Sequence, residues 1–143
     1  MAFTGRYRHT IDAKGRLILP SRLRDELDES KVLLMPSPDP CIAVWCGQAR
    51  NEYEAKLQSQ SKASSRHRAA IRELYSFAHS DEVDKQGRVS VPDELRAERG
   101  IDREVVIVGA GDHIEIWDPQ RYEQARAEVA EIGLSALFEE LDI

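Results

Sequence analysis

The sequence predicts an α+β fold made by internal duplication of one small unit: a β-hairpin, a short helix and a second β-hairpin, with further helices flanking the copies. Three observations lead there. IDAKGRLILP at 11–20 returns as VDKQGRVSVP at 83–92, an ungapped offset of 72 residues. The same offset aligns Leu23-Arg24 with Leu95-Arg96, Ile42 with Ile114, and the chain's two tryptophans, Trp45 with Trp117. Apolar residues alternate after each glycine, the period of a strand with one buried face.

The copies span 5–58 and 77–130. The first opens on an extended segment in which Arg6 and Arg8 share a face. Asp-x-x-Gly then fits a type I turn, with Asp12 or Asp84 first and Gly15 or Gly87 fourth. The aspartate side chain can bond the turn backbone. The glycine tolerates a positive φ, and with it a hairpin bulge. Beyond the turn, Leu17 and Leu19, like Val89 and Val91, point to one side of a strand; Ile18 and Ser90 point to the other. Pro20 and Pro92 end these strands and open short helices over SRLRDEL and DELRAER.

Two more strands follow in each copy. They are VLLM (32–35) and CIAVW (41–45) around the loop PSPDP, then EVVIVG (104–109) and HIEIW (113–117) around the tight AGD. A helix closes each copy; in the second, Tyr122, Ala125, Val129 and Ile132 form its apolar stripe. Residues 59–76 are a linker and connecting helix. QSQSKASS reads as polar connection, and SSRHRAAIRELYSFA as a helix with Ile71, Leu74, Tyr75 and Ala78 on one face. Residues 131–143 form an acidic C-terminal helix or tail. Leu134, Leu137, Phe138 and Leu141 recur there at helical spacing and are expected to pack. A unit with so few strands cannot cover its own sheet, so the two copies are expected to pack on each other.

Composition narrows the function. The 143 residues are 41% hydrophobic and 32% charged, which is ordinary for a globular chain. Half of it alone would be a marginal domain. No apolar run approaches the roughly 18–20 residues of a membrane helix, and MAFTGRYRHT lacks a signal-peptide core. A cytoplasmic protein without membrane partners is expected. Cys41 and Cys46 have no metal-site spacing and no completing pair, so they are expected to be packing residues, and no metal is expected. No Ser/His/Asp order or glycine-rich phosphate loop suggests an enzyme, a cofactor or a small-molecule substrate.

The net charge of −6 is unevenly spread. Residues 1–24 carry Arg6, Arg8, Lys14, Arg16, Arg22 and Arg24 against Asp12 alone, a net +5. Residues 112–143 carry a net −7. A basic segment of this kind creates a local field suited to a polyanion; alternatively, it pairs with the acidic end across the fold.

The doubled DAKGR…P and DKQGR…P, the opening Phe3-x-Gly5-x-Tyr7 and the block Glu115-Ile116-Trp117-Asp118 together resemble the MraZ family over essentially the whole chain. The resemblance implies AbrB-like units, with a double-psi or swapped-hairpin barrel and pseudo-two-fold symmetry. It also implies a homo-oligomeric ring that acts as a nucleoid-associated transcriptional regulator. Such a ring binds short direct repeats in double-stranded DNA upstream of a cell-division and cell-wall gene cluster. The Asp-x-x-x-Arg hairpins would carry the DNA surface, here Asp12 to Arg16 and Asp84 to Arg88.

The residues give that surface a chemistry. Arg16 leaves the turn directly and can bond guanine O6 and N7; the alternative is a salt bridge to Asp12 or Asp84. Lys14 suits phosphate. Arg6 and Arg8 on one side, and Lys85 and Arg88 in the second copy, complete the candidate DNA contacts, with a structural role the leading alternative for Arg88. Asp12, Gly15, Asp84 and Gly87 are read as turn-forming. Gln86 stands where the first copy has Lys14, so the first hairpin is expected to be the stronger reader. The rival reading is a ring-forming protein-interaction scaffold with DNA binding secondary. A pure scaffold, however, has no need of the basic N-terminal segment. An antitoxin of the AbrB type is disfavoured by the duplication.

Overall fold

The computed structural model describes residues 2–143. The first copy contributes β1 (Arg6–Thr10), β2 (Arg16–Ile18), α1 (Ser21–Arg24), β3 (Lys31–Pro36), β4 (Ile42–Cys46) and α2 (Gly47–Gln60). After α3 (Ser65–Phe77) come β5 (His79–Glu82), β6 (Arg88–Ser90), α4 (Asp93–Glu98), β7 (Glu104–Gly109), β8 (Ile114–Trp117), α5 (Pro119–Ile132) and α6 (Leu134–Glu140). The order of elements therefore repeats, as the sequence repeats.

The strands form two antiparallel sheets, one ordered β1-β7-β8-β4-β3-β5 and one of β2 and β6. The second hairpin of each copy pairs within its copy, as β3–β4 and β7–β8. The first hairpin opens instead. Its backbone bonds stop at the turn: beyond the bond inside the turn itself, the last is from the Asp12 amide to the Arg16 carbonyl at 2.9 Å, or from Asp84 to Arg88 at 3.1 Å. Its strands then pair with the other copy: β1 with β7, β5 with β3, and β2 with β6. Burial explains the exchange. The inner sides of β2 and β6 are Leu17 and Val89, both closed to solvent, and in these three-residue strands each side chain finds cover from the other copy.

The main core draws on both copies, with Ile11, Leu17, Leu19, Leu23 and Val32 against Val89, Val91, Leu95, Ile107 and Ile116. The other side of the large sheet is covered separately. Trp45, Leu33 and Met35 pack under α2 and α3 through Tyr53, Leu57 and Leu74. Cys41, Val106 and Trp117 pack under α5 through Tyr122 and Ala125. With both faces covered, β4 is buried at every position. The cysteines are free and buried. Burial pushes the Cys41 thiol up to about 12 and the Cys46 thiol to about 11, so both remain neutral packing groups.

Three details depart from the sequence reading. Helix α2 runs on to Gln60, which leaves a short turn before Ser64, and Ser64 caps α3 by accepting from the His67 amide. The α5 stripe is covered only in its first half, because Val129 and Ile132 face solvent. Leu134, Phe138 and Leu141 of the C-terminal segment are exposed rather than packed, since no described element covers them, while Leu137 is half-buried.

Candidate nucleic-acid interface

The two turns have one geometry. Asp12 Oδ1 accepts from the Lys14 and Arg16 amides, both at 2.9 Å, while Oδ2 accepts from Arg16 Nε at 3.3 Å. Asp84 Oδ1 accepts from the Gln86 and Arg88 amides, both at 2.9 Å, and Oδ2 from Arg88 Nε at 2.7 Å. The first and fourth turn residues are joined by the Gly15-to-Asp12 and Gly87-to-Asp84 bonds, each 2.9 Å. The glycines stand at φ 79° and 81°, which L side chains rarely adopt. These hydrogen bonds, led by the Arg16 and Arg88 amides, hold both aspartates below the usual carboxylate value.

Each aspartate thus orients its own arginine. Only Nε is engaged, so both Nη groups of Arg16 and of Arg88 keep their donors clear of hydrogen bonds among the described residues. Antiparallel pairing of Arg16 with Ser90, Leu17 with Val89 and Ile18 with Arg88 sets the two arginines on one ribbon. Strand alternation puts Arg16, Ile18, Arg88 and Ser90 on its outer face and Leu17 and Val89 on its inner face. The Gly15 carbonyl accepts from the Val91 amide and the Gly87 carbonyl from the Leu19 amide, both at 2.8 Å, so each turn is tied to the other copy.

The remaining candidates divide. Lys14 and Lys85 are exposed at the tips of their turns. Arg6 and Arg8 are exposed on β1, where they line a cavity of about 260 Å³ with Tyr122, Glu123 and Arg126 of α5. That groups them with α5 rather than with the ribbon. Arg24 of α1 lies against Gly87, giving the second turn a cation from the first copy. This narrows the difference between the turns that Gln86 alone suggests.

A second polar assembly joins the copies, and sequence reasoning did not single it out. The His113 ring stacks on Trp45 with 4.5 Å between centroids, and Trp45 stacks on Tyr53 at 4.2 Å. The His113 ring nitrogens lie 2.8 Å from Asp112 and 3.0 Å from Glu115, and both donate when the imidazole is protonated; Trp117 Nε1 donates to Glu115 at 2.9 Å. Burial pushes His113 down, yet the two carboxylates outweigh it and hold the group above 6.5. Burial pushes Glu115 up, and the bonds from His113 and Trp117 bring it below 4.5. The signal in the sequence was the parity of His113, Glu115 and Trp117; Trp45 and Tyr53 could not be tied to them by spacing. Among the described residues, no group of three His, Cys, Asp or Glu side chains could hold a metal ion, and no helix is long and apolar enough to cross a membrane.

Fold and site together define a class: a duplicated α+β chain whose copies exchange strands and present a matched pair of aspartate-held arginines. The chain belongs to the MraZ family. The family described as "MraZ protein, putative antitoxin-like" matches residues 2–73 and again residues 74–142. A transcriptional regulator MraZ of Ligilactobacillus salivarius is 39% identical over 139 residues, covering 97% of this chain and 96% of that protein. A second, of Moorella thermoacetica, is 42% identical over 122 residues, covering 85% of each chain. A third, of Clavibacter michiganensis, is 36% identical over 143 residues, covering 95% of this chain and 99% of its own. By name these relatives are regulators, not enzymes.

Proposed function

We propose that this chain is a sequence-specific DNA-binding transcriptional regulator. It acts in the cytoplasm at the nucleoid and binds short direct repeats upstream of a cell-division and cell-wall gene cluster. The observation that carries the reading is the pair Arg16 and Arg88, each held through Nε by its own aspartate and free at Nη on one outer face. A free Nη pair suits a guanine edge or a phosphate. Lys14, Lys85 and Arg24 surround the face with further charge, while Arg6 and Arg8 stand apart beside α5. The relatives' shared name as transcriptional regulators supports the same reading.

The strand exchange supports a swapped-hairpin unit of the AbrB-like barrel type. A homo-oligomeric ring would give several such faces to tandem repeats, multiplying the affinity of one module by ~10²–10⁴. The apolar surface of α5 and α6, including Val129, Ile132 and Phe138, offers material for such contacts. That same surface favours the second reading, a ring-forming scaffold with DNA binding secondary.

Fluorescence anisotropy of the purified protein on its upstream DNA, across a salt series, tests the proposal. Binding is expected to weaken steeply with salt, as counterion release requires. Arg16→Ala is expected to lose binding while the oligomer stays intact. Binding no tighter than to scrambled DNA, with no effect of the substitution, would move the scaffold reading to the front.

A further inference from the structure

The geometry points to Ile18 as a specificity-determining residue that packs on the 5-methyl group of a thymine in the major groove. The inference rests on the DNA-binding role proposed above and adds the base it reads.

Ile18 is 48% exposed, and among the described residues every other exposed large apolar side chain lies from Val129 onward, on the last two helices and the few residues after them. A single surface isoleucine is common and by itself means little. Its position gives it meaning. It stands two residues from Arg16 on the outer face of β2 and directly opposite Arg88 of β6. A two-stranded ribbon fits the major groove, and the arginine partners there are guanine O6 and N7. Thymine's methyl is the apolar group that the four base pairs present in that groove. An apolar side chain flanked by two arginines matches a thymine beside guanines.

The fold does not require isoleucine at this place. The pseudo-symmetric position, on an equivalent strand, is Ser90, whose amide donates to Asp81 at 2.7 Å. The inner residues Leu17 and Val89 are apolar in both copies because they enter the core. The outer pair Ile18 and Ser90 differs, so the ribbon carries matched arginines and unmatched residues beside them. An apolar group on one side and a hydroxyl on the other give the face a direction along the duplex.

The test uses the full-length protein and the upstream duplex, with each thymine replaced in turn by deoxyuridine, which lacks the methyl. Wild type is expected to lose roughly four-fold affinity at one thymine per repeat, the worth of one buried methyl. Ile18→Ser is expected to bind thymine and uracil duplexes alike, with an unchanged salt slope, because no phosphate contact is removed. Ile18→Val, which keeps a branched apolar side chain, is expected to retain part of the discrimination. Tight, specific binding by wild type that ignores every uracil replacement overturns the inference and leaves the regulator reading standing. So does an Ile18→Ser variant that keeps its uracil sensitivity or falls apart as an oligomer, which would make Ile18 a subunit contact. Wild type that prefers no duplex over scrambled DNA removes both readings together.

Discussion

The carbonyl of Gly15 accepts a 2.8 Å hydrogen bond from the amide of Val91, a residue of the other copy. The mirror bond joins Gly87 to Leu19 at the same length. With β1 on β7 and β5 on β3, no copy holds its full set of strand partners. Fragments 2–73 and 74–142 are therefore each expected to lack a cooperative thermal transition, and to regain one when co-expressed. Circular dichroism melts of each fragment decide this; a sharp transition in either fragment alone contradicts it.

The two turn glycines are expected to respond differently to alanine. A Cβ at Gly15 would meet only the Val91 carbonyl oxygen, at an ordinary 3.4 Å. The cost there is the left-handed backbone, about 1–2 kcal/mol, and asparagine should cost less. At Gly87 the Arg24 side chain occupies the space the methyl would take. Gly87→Ala should therefore destabilise more than Gly15→Ala and displace Arg24. Denaturant midpoints of the two variants, with Gly15→Asn alongside, measure the order.

Adjacent residues of β2 should separate as sharply. Leu17 is fully closed to solvent and Ile18 is not. Leu17→Ala is expected to lose about 2–5 kcal/mol to lost burial and a cavity. Ile18→Ala should stay within about 0.5 kcal/mol. Urea unfolding of both variants checks the pair, and equal losses would mean that the two faces of the ribbon are not distinct.

Much of this was legible in the sequence. The repeat was visible because Asp12, Gly15, Arg16 and Pro20 recur as Asp84, Gly87, Arg88 and Pro92. The faces of β2 and β6 followed from alternation, and the capping role of Asp12 from its place in the turn. Pairing was hidden by the duplication itself. When two copies carry equivalent strands, periodicity gives the face of β1 but not whether its neighbour belongs to its own copy. The separation of Arg6 and Arg8 from the ribbon was hidden for the same reason, since β1 follows β7 and α5. Leu134 and Phe138 announced an apolar face at helical spacing; spacing does not say what covers it.

The assembly of His113 and Glu115 should give stability a pH signature. His113 is held above 6.5, so its contribution is whole below that value and is lost as pH rises through the folded-state value. Glu115 is held below 4.5, so its contribution is whole above that value and is lost as pH falls through the folded-state value. The pair stabilises most between 4.5 and 6.5. Wild type is expected to lose melting temperature on going from roughly pH 6 to pH 8, across the range in which histidine titrates. His113→Gln should be flatter over that range, and identical slopes would remove His113 as the cause.

The exchange of strands inside one polypeptide has a consequence for dilution. Two separate subunits that share strands unfold more readily as they become scarce, because their stability depends on protomer concentration. Here β7, the partner of β1, is always on the same chain as β1. The ribbon that carries Arg16 and Arg88 is therefore complete in a single molecule, and its integrity does not depend on how many copies a cell contains.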